Sequence, residues 1–276
     1  VGAGKDRSLV NLLHELREEI ESKIGAGVVR GSSSELTDAD GEERVRLFNA
    51  WFEDRLREWG LPLRVRADRS SVARFGVRAT EPIGAEEVYL AVPPSLVIGP
   101  DFWSARAGTD FGDAVLEAKR QLPGWGHDGF VELLLFLLHE RFVQVEASDW
   151  WPYLQLLPEA REMGSPYFLE EGSLKALLPG SSLPDAVRQL RVSIRRAYDR
   201  LVPPLLERVP FFQQIRGALT FERYAWASLI LNTRSIWWRG ERHLVPMLDL
   251  VNCLAHRSIE SMRPHRTEAD NRGVAV

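Results

Sequence analysis

Near the end of the chain, four residues capable of polar or nucleophilic chemistry, Arg234, Asp249, Asn252 and Cys253, fall where apolar side chains are the rule. The stretch from Tyr224 to Cys253 reads YAWASLILNTRSIWWRGERHLVPMLDLVNC. Asp249 and Asn252 interrupt Leu244-Val-Pro-Met-Leu-Asp-Leu-Val-Asn, and a buried carboxylate or amide without a partner costs roughly 1–3 kcal/mol. Each therefore needs a hydrogen bond from the protein or from a ligand, and a small-molecule site is one explanation. Arg234, at a helix-to-strand junction, has the planar fork that holds a carboxylate in bidentate fashion. Taken alone, it fits a surface ion pair equally well. Cys253 has no base partner in the sequence and reads as a small buried apolar residue.

Other chemistry-bearing patterns carry less. Gly124-Trp-Gly126-His-Asp-Gly129 matches GxGxxG by letter, but Gln121-Leu-Pro precedes it instead of a strand, so it is no dinucleotide fingerprint. His139-Glu140 opens like a zinc-protease helix, yet Val143 stands where the second histidine belongs. His243, His256 and His265 lack ligand spacing, and no Gly-x-Ser-x-Gly elbow is present. Metal and nucleophilic catalysis are not expected. Trp150-Trp-Pro-Tyr and Trp237-Trp238 suit either core packing, which is the commoner use, or an aromatic cage for a cation.

The elements that must position these groups belong to a chain of 276 residues with 45% hydrophobic content, enough for a substantial core. A net charge of -4 and a pI near 6.0 argue against a phosphate-neutralising surface, so no direct nucleic-acid binding is expected. One cysteine excludes an intramolecular disulfide and points to a reducing, intracellular compartment. No apolar run or signal peptide suggests membrane insertion. Leu9 to Ile24 has helical spacing, and Gly25 to Gly41 reads as a linker, so 1–42 is an N-terminal helix with a flexible connection. A helix is expected from Glu43 to Trp59, ended by Gly60. Leu63-Arg-Val-Arg, Phe75 to Ala79 and Glu87 to Val92 are strand-like. A helical block follows, with helices at Phe130–Val145, at Leu183–Leu206 closed by Pro203-Pro204, and from a Thr220 cap to about Asn232. Strand texture returns at Arg234–Trp238 and from Arg242 to Leu248. The order predicts an α+β fold: a β domain of short strands carrying a large helical insertion at about 105–220.

Four islands in this order resemble the SET-domain protein methyltransferases, in the Rubisco large-subunit methyltransferase-like branch. They are Ala73-Arg-Phe-Gly-Val-Arg-Ala through Val92-Pro, Trp151-Pro-Tyr-Leu-Gln-Leu-Leu-Pro with Ser165-Pro-Tyr-Phe, Leu219-Thr-Phe-Glu-Arg-Tyr through Thr233-Arg234, and Leu244-Val-Pro-Met-Leu-Asp-Leu-Val-Asn-Cys253. The resemblance places the SET domain at 43–276. It implies S-adenosyl-L-methionine as cofactor, contacted by Ala73, Arg74 and Phe75, by Arg234, and by Asp249, Leu250, Val251, Asn252 and Cys253. Arg234 would hold the methionine carboxylate, Asn252 would hydrogen-bond the cofactor, and backbone near Cys253 would read the adenine.

The implied reaction is N-methylation of a lysine in a protein substrate. Its amine must be neutral although free lysine has a pKa of about 10.4, which calls for a desolvated aromatic channel and close orientation. Two positions depart from the family. Cys253 stands where a histidine is usual, and none of Tyr89, Tyr153, Tyr167, Tyr198 and Tyr224 falls at the catalytic tyrosine's place. By the resemblance the chain stops short of that tyrosine and of the C-terminal substrate-binding domain, so weak or no turnover is expected of it alone. Protein-histidine methylation is disfavoured, since Ile236 and Leu248 replace the asparagine and tryptophan that resemblance would want. A non-catalytic SET-like scaffold that binds a protein partner is the other alternative. Oligomeric state is not readable from the sequence.

Overall fold

A computed structural model describes residues 38–70, 74–99, 102, 106, 108–122, 125–177, 180–252, 268–270 and 273–275. The expected helix at Leu9–Ile24 lies outside them. The first helix, α1 (Asp38–Arg57), begins ahead of Glu43, so the Asp38-Ala-Asp-Gly end of the expected linker is helical. Val45, Phe48, Phe52 and Leu56 recur at helical spacing and are buried, while Leu47 on the other side is exposed. Gly60 follows the helix with φ 58°, a left-handed geometry that favours glycine.

Two strands come next, β1 (Val65–Arg69) and β2 (Phe75–Ala79), paired antiparallel with Val65 opposite Ala79 and Arg69 opposite Phe75. Asn49 of α1 joins helix to hairpin: its Nδ2 donates to Ala67 O and its Oδ1 accepts from Ala67 N, both at 2.9 Å. The buried amide thus supplies both ladder bonds that a neighbouring strand would have made at Ala67. The expected strand from Glu87 shortens to β3 (Ala91–Val92), with Leu90 bridging Leu63. Glu87 is spent on a turn instead, its N–H donating to Gly84 O at 3.3 Å and its carboxylate accepting from Gly84 N at 2.9 Å.

Thr109 caps α2 (Asp110–Gln121) by accepting from Gly112 N at 3.0 Å. The helix α3 (Phe130–His139) is buried along nearly its whole length, from Glu132 to His139. Its continuation, read from the sequence as one helix to Val145, widens into a π-turn at Glu140–Gln144 and a 3-10 turn at Val145–Ala147. The short helix α4 (Trp151–Leu154) buries Tyr153 and Leu154 completely. Trp150 packs edge-on against Trp51, Phe102 and Phe136, the core use of that tryptophan.

Residues 160–193 form a separate compact unit. It contains α5 (Glu171–Leu177) and the first half of α6 (Leu183–Arg208), and Arg191 ties it together by donating to Tyr167 O at 2.9 and 2.7 Å. The other unit takes residues 36–159 and 194–276. Pro203 and Pro204 do not close α6, which runs through them to Arg208. Each internal proline costs about 3 kcal/mol of helix, and the burial of Val187, Ile194, Val202 and Leu205 along the helix offsets that cost.

A short helix α7 (Pro210–Gln214) leads to α8 (Phe221–Arg234), capped by Thr220 as expected and ending beyond Asn232. A tight hairpin then joins β4 (Ile236–Trp238) to β5 (Glu241–His243). Its turn residues, Arg239 and Gly240, both have positive φ, 55° and 82°, as the right-handed twist of a two-residue hairpin requires. Farther on, β6 (Glu268–Asp270) and β7 (Gly273–Ala275) complete a three-stranded sheet in which β7 lies between β6 and β3. The helix-rich α+β order of short strands is the one the sequence predicts. Among the described residues no helix is long and apolar enough to cross a membrane.

Candidate functional site

The helix α8 delivers Arg234. Thr220 starts it, Tyr224 to Leu231 are all buried, and Arg234 falls in the last turn, where a cation complements the helix dipole. After the β4–β5 hairpin, Leu244 exchanges backbone hydrogen bonds with Ile98 at 2.8 and 2.9 Å, which fixes the start of the Val245–Asn252 segment. Met247, buried, takes φ 72°, a strained backbone for a non-glycine residue, and a 3-10 turn over Leu248–Leu250 follows. That turn directs Asp249 inward.

The Asp249 side chain is 1% exposed. Its Oδ2 accepts from Tyr153 Oη at 3.0 Å and from Arg234 Nη1 at 3.2 Å, and the same Nη1 donates to the Asp249 carbonyl at 3.2 Å. Oδ1 is buried without a hydrogen-bond partner among the described residues. Burial pushes the Asp249 carboxyl above its ordinary value, and the Arg234 charge and the Tyr153 hydroxyl only partly oppose this. The Tyr153 phenol is raised well above 10, first by burial and then by the adjacent carboxylate, so its hydroxyl keeps its proton and stays a donor.

Arg234 keeps 23% of its side chain exposed. All its hydrogen bonds to described residues use Nη1, which leaves Nε and Nη2, the edge that takes a carboxylate side-on, without a partner among the described residues.

Asn252 is exposed and donates from Nδ2 to Phe75 O at 3.0 Å, pinning the 249–252 segment to the start of β2. A Cβ on Gly76 would come within 2.5 Å of Asn252 Nδ2 and push that side chain off its bond to Phe75 O. Arg74 stacks over the Phe75 ring, 4.9 Å from its centroid, and donates to Leu157 O at 3.3 Å. Leu250 is buried and Val251 half-buried. Of the residues singled out from sequence, Arg234 and Asp249 thus meet directly, as do Asn252 and Phe75. Ala73 and Cys253 lie outside the described residues.

Tyr153 escaped the sequence reading, which treated its segment as aromatic core or cage. The available signal was a phenol inside an apolar Trp-Pro-Tyr-Leu turn, whose hydroxyl must find a buried partner. The GxGxxG match is a helix entry: Gly129 has φ 75°, and Asp128 accepts from Phe130 N at 3.3 Å and from Arg242 Nε at 3.1 Å. His139 is core, stacked on Phe111 at 4.0 Å. Trp237 is 59% exposed with the Arg242 guanidinium 4.6 Å from its ring centroid, so it is not a core residue.

No protein-family model matches the chain. Among solved structures, the SET domain of LSMT bound to lysine and AdoHcy aligns with a TM-score of 0.61 at 24% identity, covering 85% of this chain and 49% of that one. Rubisco LSMT bound to AdoMet aligns with a TM-score of 0.55 at 25% identity, over 79% of this chain and 46% of that one. The fold is therefore of the SET type. The N-lysine methyltransferase SETD6 of Homo sapiens is 33% identical over 207 residues, 71% of this chain and 42% of that protein. The chain belongs to the SET-domain methyltransferases, in the Rubisco large-subunit methyltransferase-like branch. It spans less than half the length of these relatives.

Proposed function

We propose that this chain is the cofactor-binding part of an S-adenosylmethionine-dependent protein-lysine methyltransferase. The observation that carries the proposal is the guanidinium of Arg234, immobilised through one nitrogen by a buried carboxylate and left with its bidentate edge unused. A buried aspartate that fixed Arg234 for stability alone would be a poor device, because its own charge is penalised by burial. A pre-aligned fork for a ligand carboxylate explains the expense.

The residues present fit the cofactor. Arg234 would take the methionine carboxylate on Nε and Nη2. Asn252, whose Nδ2 is engaged with Phe75 O, would offer its side-chain oxygen to a cofactor donor. Backbone groups of Arg74 and Phe75 and of Asp249 to Asn252 would line the remainder. When bound, S-adenosylmethionine supplies an electrophilic methyl group on a sulfonium. The contribution of these side chains is orientation: holding one end of the ligand fixed removes freedom that would otherwise be lost on the way to the transition state. The acceptor is a lysine of a protein substrate, as the names of the relatives indicate for those proteins.

Transfer of a labelled methyl group from S-adenosylmethionine to a mixed protein substrate, followed by acid hydrolysis and amino-acid analysis, tests this. Whatever label is transferred, little as these 276 residues alone are expected to turn over, should appear in Nε-methyllysine. Label in methylhistidine instead would overturn the choice of acceptor.

A further inference from the structure

We infer that Tyr153, contributed by the helical insertion, is a positioning residue for the carboxylate clamp: it holds Asp249, and through Asp249 it aligns Arg234. The inference rests on the cofactor reading above. Tyr153 is 96 residues from Asp249 in the chain, fully buried, and its hydroxyl donates to the same Oδ2 that receives Arg234 Nη1. Oδ1 has no partner among the described residues, so these two donors are the side-chain contacts there that set the rotation of the carboxylate.

The Arg234 side chain reaches solvent, and its anchoring contacts in the site are the Asp249 carbonyl and Oδ2. If the carboxylate turns, one of those two contacts goes, and the plane of the guanidinium is no longer specified. A side-on carboxylate needs that plane, because both of its hydrogen bonds must align together. Ligand groups that do not use the fork have no such requirement. Tyr153 is well placed for the task because its ring is wedged in the core 6.3 Å from Phe48, so the hydroxyl has little freedom of its own. The helical insertion thereby reaches the cofactor end of the site without touching the ligand.

The test uses calorimetric titration of the full 276-residue chain with S-adenosylhomocysteine and with its decarboxylated form, which lacks only the carboxylate. Tyr153→Phe keeps the ring and removes the hydroxyl. A lost hydrogen bond to a charged acceptor predicts about tenfold weaker binding of S-adenosylhomocysteine. The decarboxylated compound should change by less than about twofold, since the fork is not used. Asp249→Asn should give the same selective loss, and adding Tyr153→Phe to it should weaken binding no further. Equal losses for both ligands would show a general structural role and overturn the inference, as would undiminished binding of S-adenosylhomocysteine. Binding of neither compound by the unsubstituted chain would instead overturn the cofactor reading, and the positioning role with it.

Discussion

Two buried carboxylates in this protein have opposite fates. Asp249 meets Tyr153 and one nitrogen of Arg234, keeps one oxygen unpaired, and has its pKa raised by burial. Glu140 is opposed by burial too. Hydrogen bonds from His139 at 3.0 Å and Ser148 at 2.6 Å, with the Arg106 guanidinium at 3.2 Å, outweigh that and lower its pKa below 4.5. The sign of each follows by linkage. Glu140 contributes stability that is complete above its unfolded value near 4.5 and is lost as pH falls through its lower folded value. Asp249 does the reverse: its contribution is greatest below its unfolded value of 3.8 and is lost as pH rises through its higher folded value. Glu140→Gln should therefore flatten the acid side of the stability curve and cost roughly 1–3 kcal/mol near neutrality. Urea unfolding between pH 3 and 7 reads both, and a variant with an unchanged acid slope would contradict the assignment. A stabilising network explains Glu140; a penalty at Asp249 is what the proposed cofactor site would tolerate.

Among the elements, α1 and the β1–β2 hairpin are joined by the reciprocal bonds of Asn49 with Ala67. Asn49→Ala would leave a buried donor and acceptor of the Ala67 peptide unsatisfied, at a cost of about 2–4 kcal/mol. Chemical denaturation should show that loss, and a change below about 0.5 kcal/mol, the range of surface substitutions, would mean the pairing is not structural. Local signals made several elements legible. The Thr220 cap and the Gly60 stop after α1 have chemistry readable from neighbouring residues. What was hidden depends on partners distant in sequence. The persistence of α6 past Pro203 and Pro204 follows from its buried face, and the strand at Gly273–Ala275 follows from its antiparallel pairing with Ala91–Val92. The π-turn at Glu140 has no signature in the local pattern, because the buried ion network that accompanies it involves Arg106 and Ser148.

At the scale of the molecule, the proposed site joins segments far apart in the chain: Arg74 to Gly76, Tyr153, Arg234, and Asp249 to Asn252. Asp249 is legible because a carboxylate in an apolar stretch demands partners, and Arg234 because its fork ends a helix; Asn252, expected to be buried by the same argument as Asp249, is exposed and reaches Phe75 O from the surface. Tyr153 is not legible, since an apolar turn hides the one atom that matters. Ligand binding should couple these segments. With S-adenosylhomocysteine near a hundredfold above Kd, the folded state gains about 2.7 kcal/mol. Amide hydrogen exchange should then slow together at 74–76, at 151–157 and at 249–252. Protection confined to one of the three would contradict a shared site.

The most direct measurement of the central claim is calorimetric titration of the chain with S-adenosylhomocysteine, beside Arg234→Ala. Saturable binding by the unsubstituted chain, weakened at least about a hundredfold when the bidentate ion pair is removed, is the predicted result. Equal affinity in the two proteins, or no binding by a folded chain, would contradict the assignment of Arg234 as the cofactor's carboxylate clamp.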